Sequence, residues 1–473
     1  MSETATQSEA PSGGAPSGTD GAPPAPAARR LTLLDAIGVG INGVVGSGVY
    51  LLVGPQAARA GAASVVGVLG CGLLCTLIAL CFAELSSMHE RSGGPYLYAR
   101  AAFGRVVGFA VGWLGAATGL LGFAAVANGF ASTLARLVPA LQASAPARTA
   151  VAVFVVALFG GINLAGVKAG GRTSTVLSLA KLGPLFLLVI FGLPHVSLAT
   201  LAAALHAPLA APGVTAPSWG AAVSSAAFLA IFMHSGFEYA VVPAGEVQNP
   251  TRNVPLAVVG SLVGASVLYA LIQLVALAVL PDLALVPAPG AEPSHAQPLV
   301  DVALVLFGSV GVPLLTFAAL VSMLGFCAGV ALVAPRYLVA LAQDGYLPRG
   351  LATLSTRSTP LAAILASTAL TAAIAIALGY ASLVDASNVV ILSGYALTAL
   401  AAVVLRVRAP ETPRPVRLPL GWAIPAAAVI ASVLLLWQAH PAAAEWRFAL
   451  ELDLLGIGLW SATALFLRLR RRA

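Results

Sequence analysis

The chain has 473 residues, 59% of them hydrophobic and 9% charged, with a mean hydropathy of +0.95 and a formal net charge of +7. A soluble chain carries roughly a quarter of its residues charged, so this composition excludes a soluble globular protein and makes the chain a multi-span integral membrane protein. The positive balance calls for no nucleic acid, because basic loops sit beside anionic inner-leaflet lipids.

Residues 1–28 are Ser, Gly, Ala, Pro and Thr with scattered acids, a composition that cannot bury enough apolar surface to fold. They are expected to form a disordered cytoplasmic tail. With no basic segment leading into an apolar core and a small-residue cleavage site, no signal peptide is expected. A spanning helix needs about 20 mostly apolar residues, and about twelve stretches qualify. They lie near 33–53, 61–83, 105–138, 149–166, 173–193, 219–243, 254–280, 299–335, 360–379, 383–405, 420–438 and 452–468. With the amino terminus inside, nineteen of the 24 basic residues fall on the cytoplasmic side. Only Arg59, Arg136, Arg148 and Arg447 fall outside, which favours both termini cytoplasmic in a cell (inner or plasma) membrane.

The first span contains Gly38-Val39-Gly40-Ile41-Asn42-Gly43-Val44-Val45-Gly46-Ser47-Gly48. Glycine destabilises a helix interior, and a membrane helix that breaks there offers its freed backbone groups to a ligand. The break therefore points to a transporter. The N–H groups of Ser47, Gly48 and Val49 would head the following half-helix, where a carboxylate is stabilised. Gly46, Ser47 and Gly48 are read as ligand-binding. For Gly38, Gly40 and Gly43 close helix packing is the favoured reading.

Cys71, Cys75, Cys81 and Cys327 all fall inside spans, where they act as small apolar residues. No metal site is expected from them, because no His or acidic partner stands at ligand spacing. Lys181 is the basic residue placed well inside a span, about 12 Å along the fifth helix. A charge near the bilayer centre costs about 2.5–3.5 kcal/mol, so Lys181 is expected to face the interior, with snorkelling as the bland alternative.

The sixth span breaks in turn at Ser235-Gly236, with Phe232, His234 and Glu238 close by. Interruptions at corresponding positions of two halves point to a midplane binding site in an inverted-repeat transporter. The carbonyls of Val44 and Val45, with those of Phe232 and Ser235, are candidate acceptors for an α-ammonium group. Phe232, one turn before Gly236, is either an aromatic gate or plain packing. His234 is either a proton relay or a core histidine satisfied by a carbonyl. Asp35 and Glu84 near span ends are expected to fix loops, and Gln343-Asp344-Gly345 to form an inner gate or a solvated turn.

Four segments carry a resemblance to a known family. They are Gly46-Ser47-Gly48-Val49-Tyr50; Ala83-Glu84-Leu85-Ser86-Ser87 through Ser92-Gly93-Gly94-Pro95-Tyr96; Gly236-Phe237-Glu238 through Asn249-Pro250; and Ala334-Pro335-Arg336 through Ala342-Gln343-Asp344-Gly345-Tyr346-Leu347-Pro348. Together they resemble the amino acid, polyamine and organocation (APC) superfamily of secondary transporters, over residues of about 31–350. The resemblance implies an all-α membrane fold with a LeuT-like five-plus-five inverted repeat and discontinuous helices 1 and 6. Residues 29–193 would form spans 1–5, residues 194–410 spans 6–10, and residues 411–473 two extra spans and a basic end. It also implies that Lys181 stands where sodium-coupled relatives bind their cation, so that its protonation couples transport to protons, and that Glu238 holds the broken helix.

The neighbours of both breaks are Val, Ile, Phe, Met and Ala, which favours a neutral amino acid over a cationic one or a polyamine. Amino acid, proton and bilayer are the expected partners, with an amino acid/metabolite antiporter as the alternative. A paired nucleophile and base, a metal cluster and a folded signalling domain are all missing near the breaks, so neither an enzyme, a cofactor nor a sensor is expected.

Overall fold

Regular structure is nearly all helical, as a chain crossing lipid must satisfy its backbone within each segment. A computed structural model describes residues 31–89, 93–164, 181–206, 208–210, 215–287, 295, 297–355, 359–439 and 443–470. The expected tail at 1–28 lies outside the described residues.

The first span is made of α1 (Leu33–Val44), α2 (Gly48–Leu51) and α3 (Val53–Ala60). Thr32 and Asp35 exchange side-chain and backbone hydrogen bonds across the first turn of α1, a capping box that fixes where the helix starts. Then follow α4 (Ser64–Ser87), α5 (Pro95–Phe103), α6 (Arg105–Ala135), α7 (Pro139–Gln142) and α8 (Ala145–Leu164). The described part of the fifth span is α9 (Lys181–His195), bent by 105° from α10 (Leu198–Ala204). The second half holds α11 (Trp219–His234), α12 (Pro250–Val279), α13 (Pro298–Phe307), α14 (Gly311–Gln343), α15 (Leu361–Ala377), α16 (Tyr380–Arg408), α17 (Ala423–Ala439) and α18 (Ala443–Arg470). Two short parallel strands, β1 (Leu209–Ala210) and β2 (Leu285–Val286), pair beside them.

Among the described residues eight helical segments are long and apolar enough to cross a membrane, or nine if α9 and α10 count as one span. Leu361–Ala377 and Ala423–Gln438 are apolar but shorter. The sixth stretch, placed near 219–243, is helical to His234 and breaks at Ser235-Gly236, as expected, before a 3-10 turn over Phe237–Ala240. The eighth, expected to end at Pro335, runs on to Gln343. Proline removes the hydrogen bond to the carbonyl four residues earlier. Here Asn163 of α8 donates to that carbonyl, Ala331 O, at 2.7 Å, so the helix continues.

Helices pack in related pairs. α1 lies on α12 and α11 on α4; α4 packs along α12, α6 along α14 and α8 along α15. α6 touches α15 as α14 touches α8. In span numbers, exchanging each of the first five spans with the one five later maps this set of pairs onto itself. The bundle so formed buries α1, α11 and the segments that follow them.

Candidate functional site

The two breaks meet at the centre of the bundle. A side chain on Gly43 would collide with the Gly236 carbonyl, and one on Gly236 with the backbone of Gly43. Gly236 has φ of 101°, a left-handed conformation that glycine adopts freely. Gly40 lies against Ser261 of α12, Gly46 against the Phe326 ring and Gly48 against Met233 of α11. Close packing thus accounts for Gly40 and Gly43, and it also acts on Gly46 and Gly48 within the break itself.

At the first break the carbonyls freed by unwinding are taken by side chains from other helices. Tyr269 of α12 donates its hydroxyl to Val44 O at 2.8 Å. Ser322 of α14 donates to Val45 O at 3.0 Å and to Gly46 O at 2.9 Å. Lys181 Nζ hydrogen-bonds Val45 O and lies 3.4 Å from Ile41 O. Its side chain is 0% exposed, so it turns into the bundle and does not snorkel. Together these groups join spans 1, 5, 7 and 8 at the Val44–Gly46 carbonyls.

On the other side of the break, Ser47 stands at the N-cap of α2 yet makes no capping bond. Its hydroxyl lies 3.2 Å from that of Tyr380, the first residue of α16. Among the described residues the N–H groups of Ser47, Gly48 and Val49 have no acceptor, while the Ser47 carbonyl accepts from Tyr50 and Leu51. Those N–H groups are the first-turn donors that every helix leaves without an internal partner.

The second break is held mainly by its own residues. Ser235 Oγ donates back to Phe232 O at 2.8 Å, and Ser235 N to Ile231 O at 2.9 Å. The Glu238 carboxylate accepts from Gly236 N at 2.8 Å and from the Tyr395 hydroxyl of α16 at 2.6 Å. Beside it lies a cavity of about 30 Å³ lined in part by Thr118, Tyr337 and Tyr395, room for a single water. His234 shares Nδ1 with Ala230 O at 3.0 Å, and its ring stands edge-on to Tyr269 with centroids 5.3 Å apart. Its Nε2 is buried with no partner among the described residues. Phe232 meets the ring of Tyr380 edge-on, centroids 6.3 Å apart.

Beyond the carboxy-terminal side of the second break, ion pairs tie the chain together. Glu246 accepts two hydrogen bonds from Arg336 of α14, at 2.7 and 2.9 Å, the fork geometry that favours arginine. Leu31 forms a parallel bridge with Val247, fastening the start of α1 to the same segment. Asp344 accepts from Tyr96 at 2.5 Å and pairs with Arg100. Burial, then the neighbouring Asp344 carboxylate, pushes the Tyr96 phenol's pKa up, so it stays a donor. Glu84 pairs with Arg406 and, at 3.5 Å, with Arg414. Asp35 sits in its capping box, and Cys71 and Cys75 lie 4.0 Å apart within α4.

The structure thus brings Val44, Val45, Gly46, Ser47, Gly48, Lys181, Phe232, Ser235, Gly236 and Glu238 into one region. Sequence reasoning missed Tyr269, Ser322, Phe326, Tyr380 and Tyr395. Each is a lone hydroxyl or ring in an apolar helix, with no spacing signal to separate it from core packing.

Comparison with known proteins agrees with this architecture. The amino acid permease family profile matches residues 31–459. The methylthioribose transporter of Bacillus subtilis (strain 168) is 27% identical over 433 residues, covering 87% of each chain. Cationic amino acid transporter 4, vacuolar, of Arabidopsis thaliana is 26% identical over 81% of this chain and 64% of its own. The fold is similar to that of Mhp1, a nucleobase-cation-symport-1 family transporter solved in a closed conformation with bromovinylhydantoin bound. That match has a TM-score of 0.57 at 14% identity and covers 93% of this chain and 96% of the other. Its fold, its length and its family profile together make this chain a member of the amino acid permease family of membrane transporters, not an enzyme.

Proposed function

We propose that the chain is a secondary active transporter that carries a neutral amino acid across the cell membrane by alternating access, coupled to protons. The observation that carries the reading is the meeting of two unwound segments in the centre of the bundle, one presenting the free N–H groups of Ser47, Gly48 and Val49. Such groups suit an α-carboxylate without a buried arginine. Val44 O and Val45 O are each filled by two donors of the protein, so the ammonium end is left to the Ser235 carbonyl and the second lone pair of Phe232 O. Phe232, Phe326 and Tyr380 supply an apolar wall, which supports a neutral substrate.

Lys181 is the proposed coupling group. Its ammonium bridges span 5 to the span 1 carbonyls that Ser322 of α14 also holds, so losing its proton would loosen spans 1 and 8 together. Glu238 is the positioning residue for the second break, and His234 a relay candidate beside it. The paired helix contacts support a five-plus-five repeat of spans 1–5 and 6–10 within 29–193 and 194–410. Twelve spans, both termini cytoplasmic, and two added helices within 411–473 complete the proposed topology.

Lys181 is held by neutral carbonyls, an arrangement that also suits a fixed ammonium serving as scaffold. That favours an exchanger as the second reading. The test is uptake of radiolabelled amino acids, with methylthioribose in the panel because one relative carries that name, into proteoliposomes under imposed proton gradients. Accumulation of one neutral amino acid, lost in Lys181→Ala while exchange persists, is expected. Uptake only against a loaded counter-substrate, insensitive to pH and sodium, would establish the exchanger instead.

A further inference from the structure

We infer that Tyr380 is the lid of the substrate site and limits the size of side chain it admits; this rests on the transport reading above. Three spans converge on this one residue. Its hydroxyl is 3.2 Å from Ser47 Oγ in the first break. Its ring stands at 82° to that of Phe232, one turn before the second break. The ring also lies against Gly129 of α6, where a side chain would come within 3.3 Å of it. Glycine there makes room for the phenol.

The neighbouring residue fixes the lid's hinge. Asn128 of α6 donates through Nδ2 to Ala375 O at 3.1 Å and Leu378 O at 2.8 Å, fastening the turn between α15 and α16 that Tyr380 follows. Tyr380 therefore starts from a defined position, and opening costs it one hydrogen bond and one ring contact. The same hydrogen bond draws the Ser47 hydroxyl towards α16. A substrate seated at the breaks must place its side chain beside the Phe232 and Tyr380 rings, so their separation sets the size limit. Farther along the same two spans, Arg59 of α3 and Asp385 of α16 stand 3.7 Å apart, both partly exposed.

The experiment uses the full chain in proteoliposomes, with the buried Cys71, Cys75, Cys81 and Cys327 replaced and Leu51→Cys introduced. Leu51 lies one turn after Ser47, against Gly129. A neutral hydrogen bond is worth about two- to tenfold in an equilibrium. Tyr380→Phe is expected to speed modification of that cysteine by an impermeant maleimide by this factor from one membrane face, while Trp437→Phe leaves it unchanged. Tyr380→Ala is expected to admit larger neutral amino acids and to change KM on that face alone, an asymmetry that a purely structural residue would not produce. If Tyr380→Ala does not fold, Asn128→Ala releases the same turn without touching the ring and is expected to speed labelling likewise. Unchanged labelling in Tyr380→Phe and in Asn128→Ala would overturn the lid. Failure of the wild type to carry any substrate in the panel would defeat the transport reading, while the labelling would still report on Tyr380.

Discussion

The two breaks solve one problem in different ways. Unwinding a helix in a membrane strands backbone groups where water is scarce. At the second break the segment supplies its own partners: Ser235 returns to Phe232 O, and Glu238 reaches back two residues to Gly236 N. At the first break the partners come from elsewhere, with Tyr269, Ser322 and Lys181 reaching in from three other spans. A self-satisfied break can move as a unit. A break satisfied from outside is tied to whatever its partners do, which suits the first break to coupling and the second to hinging.

Substitutions can break this contrast. The largest effect on uptake is expected for Lys181→Met, which keeps length but removes a charged donor from Val45 O. Hydrogen bonds to charged groups are worth about 1.5–3 kcal/mol, so gradient-driven uptake should fall by roughly tenfold to a hundredfold, measured as initial rate at fixed substrate. On stability the largest effect is expected for Glu238→Ala, which leaves the Gly236 N–H and the Tyr395 hydroxyl unpaired at about 1–3 kcal/mol each. The purified protein should melt several degrees lower, whereas Glu238→Gln, which keeps an acceptor, should recover much of the loss.

Ser322→Ala should cost about 1–3 kcal/mol, because Lys181 still serves Val45 O while Gly46 O loses its donor. The sharper measurement is the double-mutant cycle with Lys181→Met. Two donors sharing one carbonyl should be non-additive by about 0.5–3 kcal/mol, and additivity would show that the two act separately. Tyr269→Phe should cost about 1 kcal/mol in melting stability while leaving the second break intact. Ser235→Ala is expected to change least, at about 0.5 kcal/mol, since its back-bond serves a carbonyl of its own turn. If Ser235→Ala matched Lys181→Met in uptake, the contrast between the breaks would fall.

Much of the fold was legible in the chain because lipid imposes a simple rule, namely long apolar helices with polar residues only where they have work. That rule located the long apolar helices of the described residues and the two breaks in them. It could not foresee that α14 passes through Pro335, because the rescue comes from Asn163, more than 160 residues away in sequence. Nor could it foresee that Gly46 and Gly48, read as ligand-binding, are also packed, since they adjoin Phe326 and Met233 only once α11 and α14 are in place.

By itself the sequence determined that this chain lives in a membrane and where its helices unwind. Those are properties of composition and of neighbours along the chain. Only the tertiary structure decided which side chains complete the first break, that Glu246 pairs with Arg336, and that Tyr380 stands over Ser47 and Phe232. The physical reason is that a lone hydroxyl or charge in an apolar helix carries no directional signal until packing brings it to an orphaned backbone group.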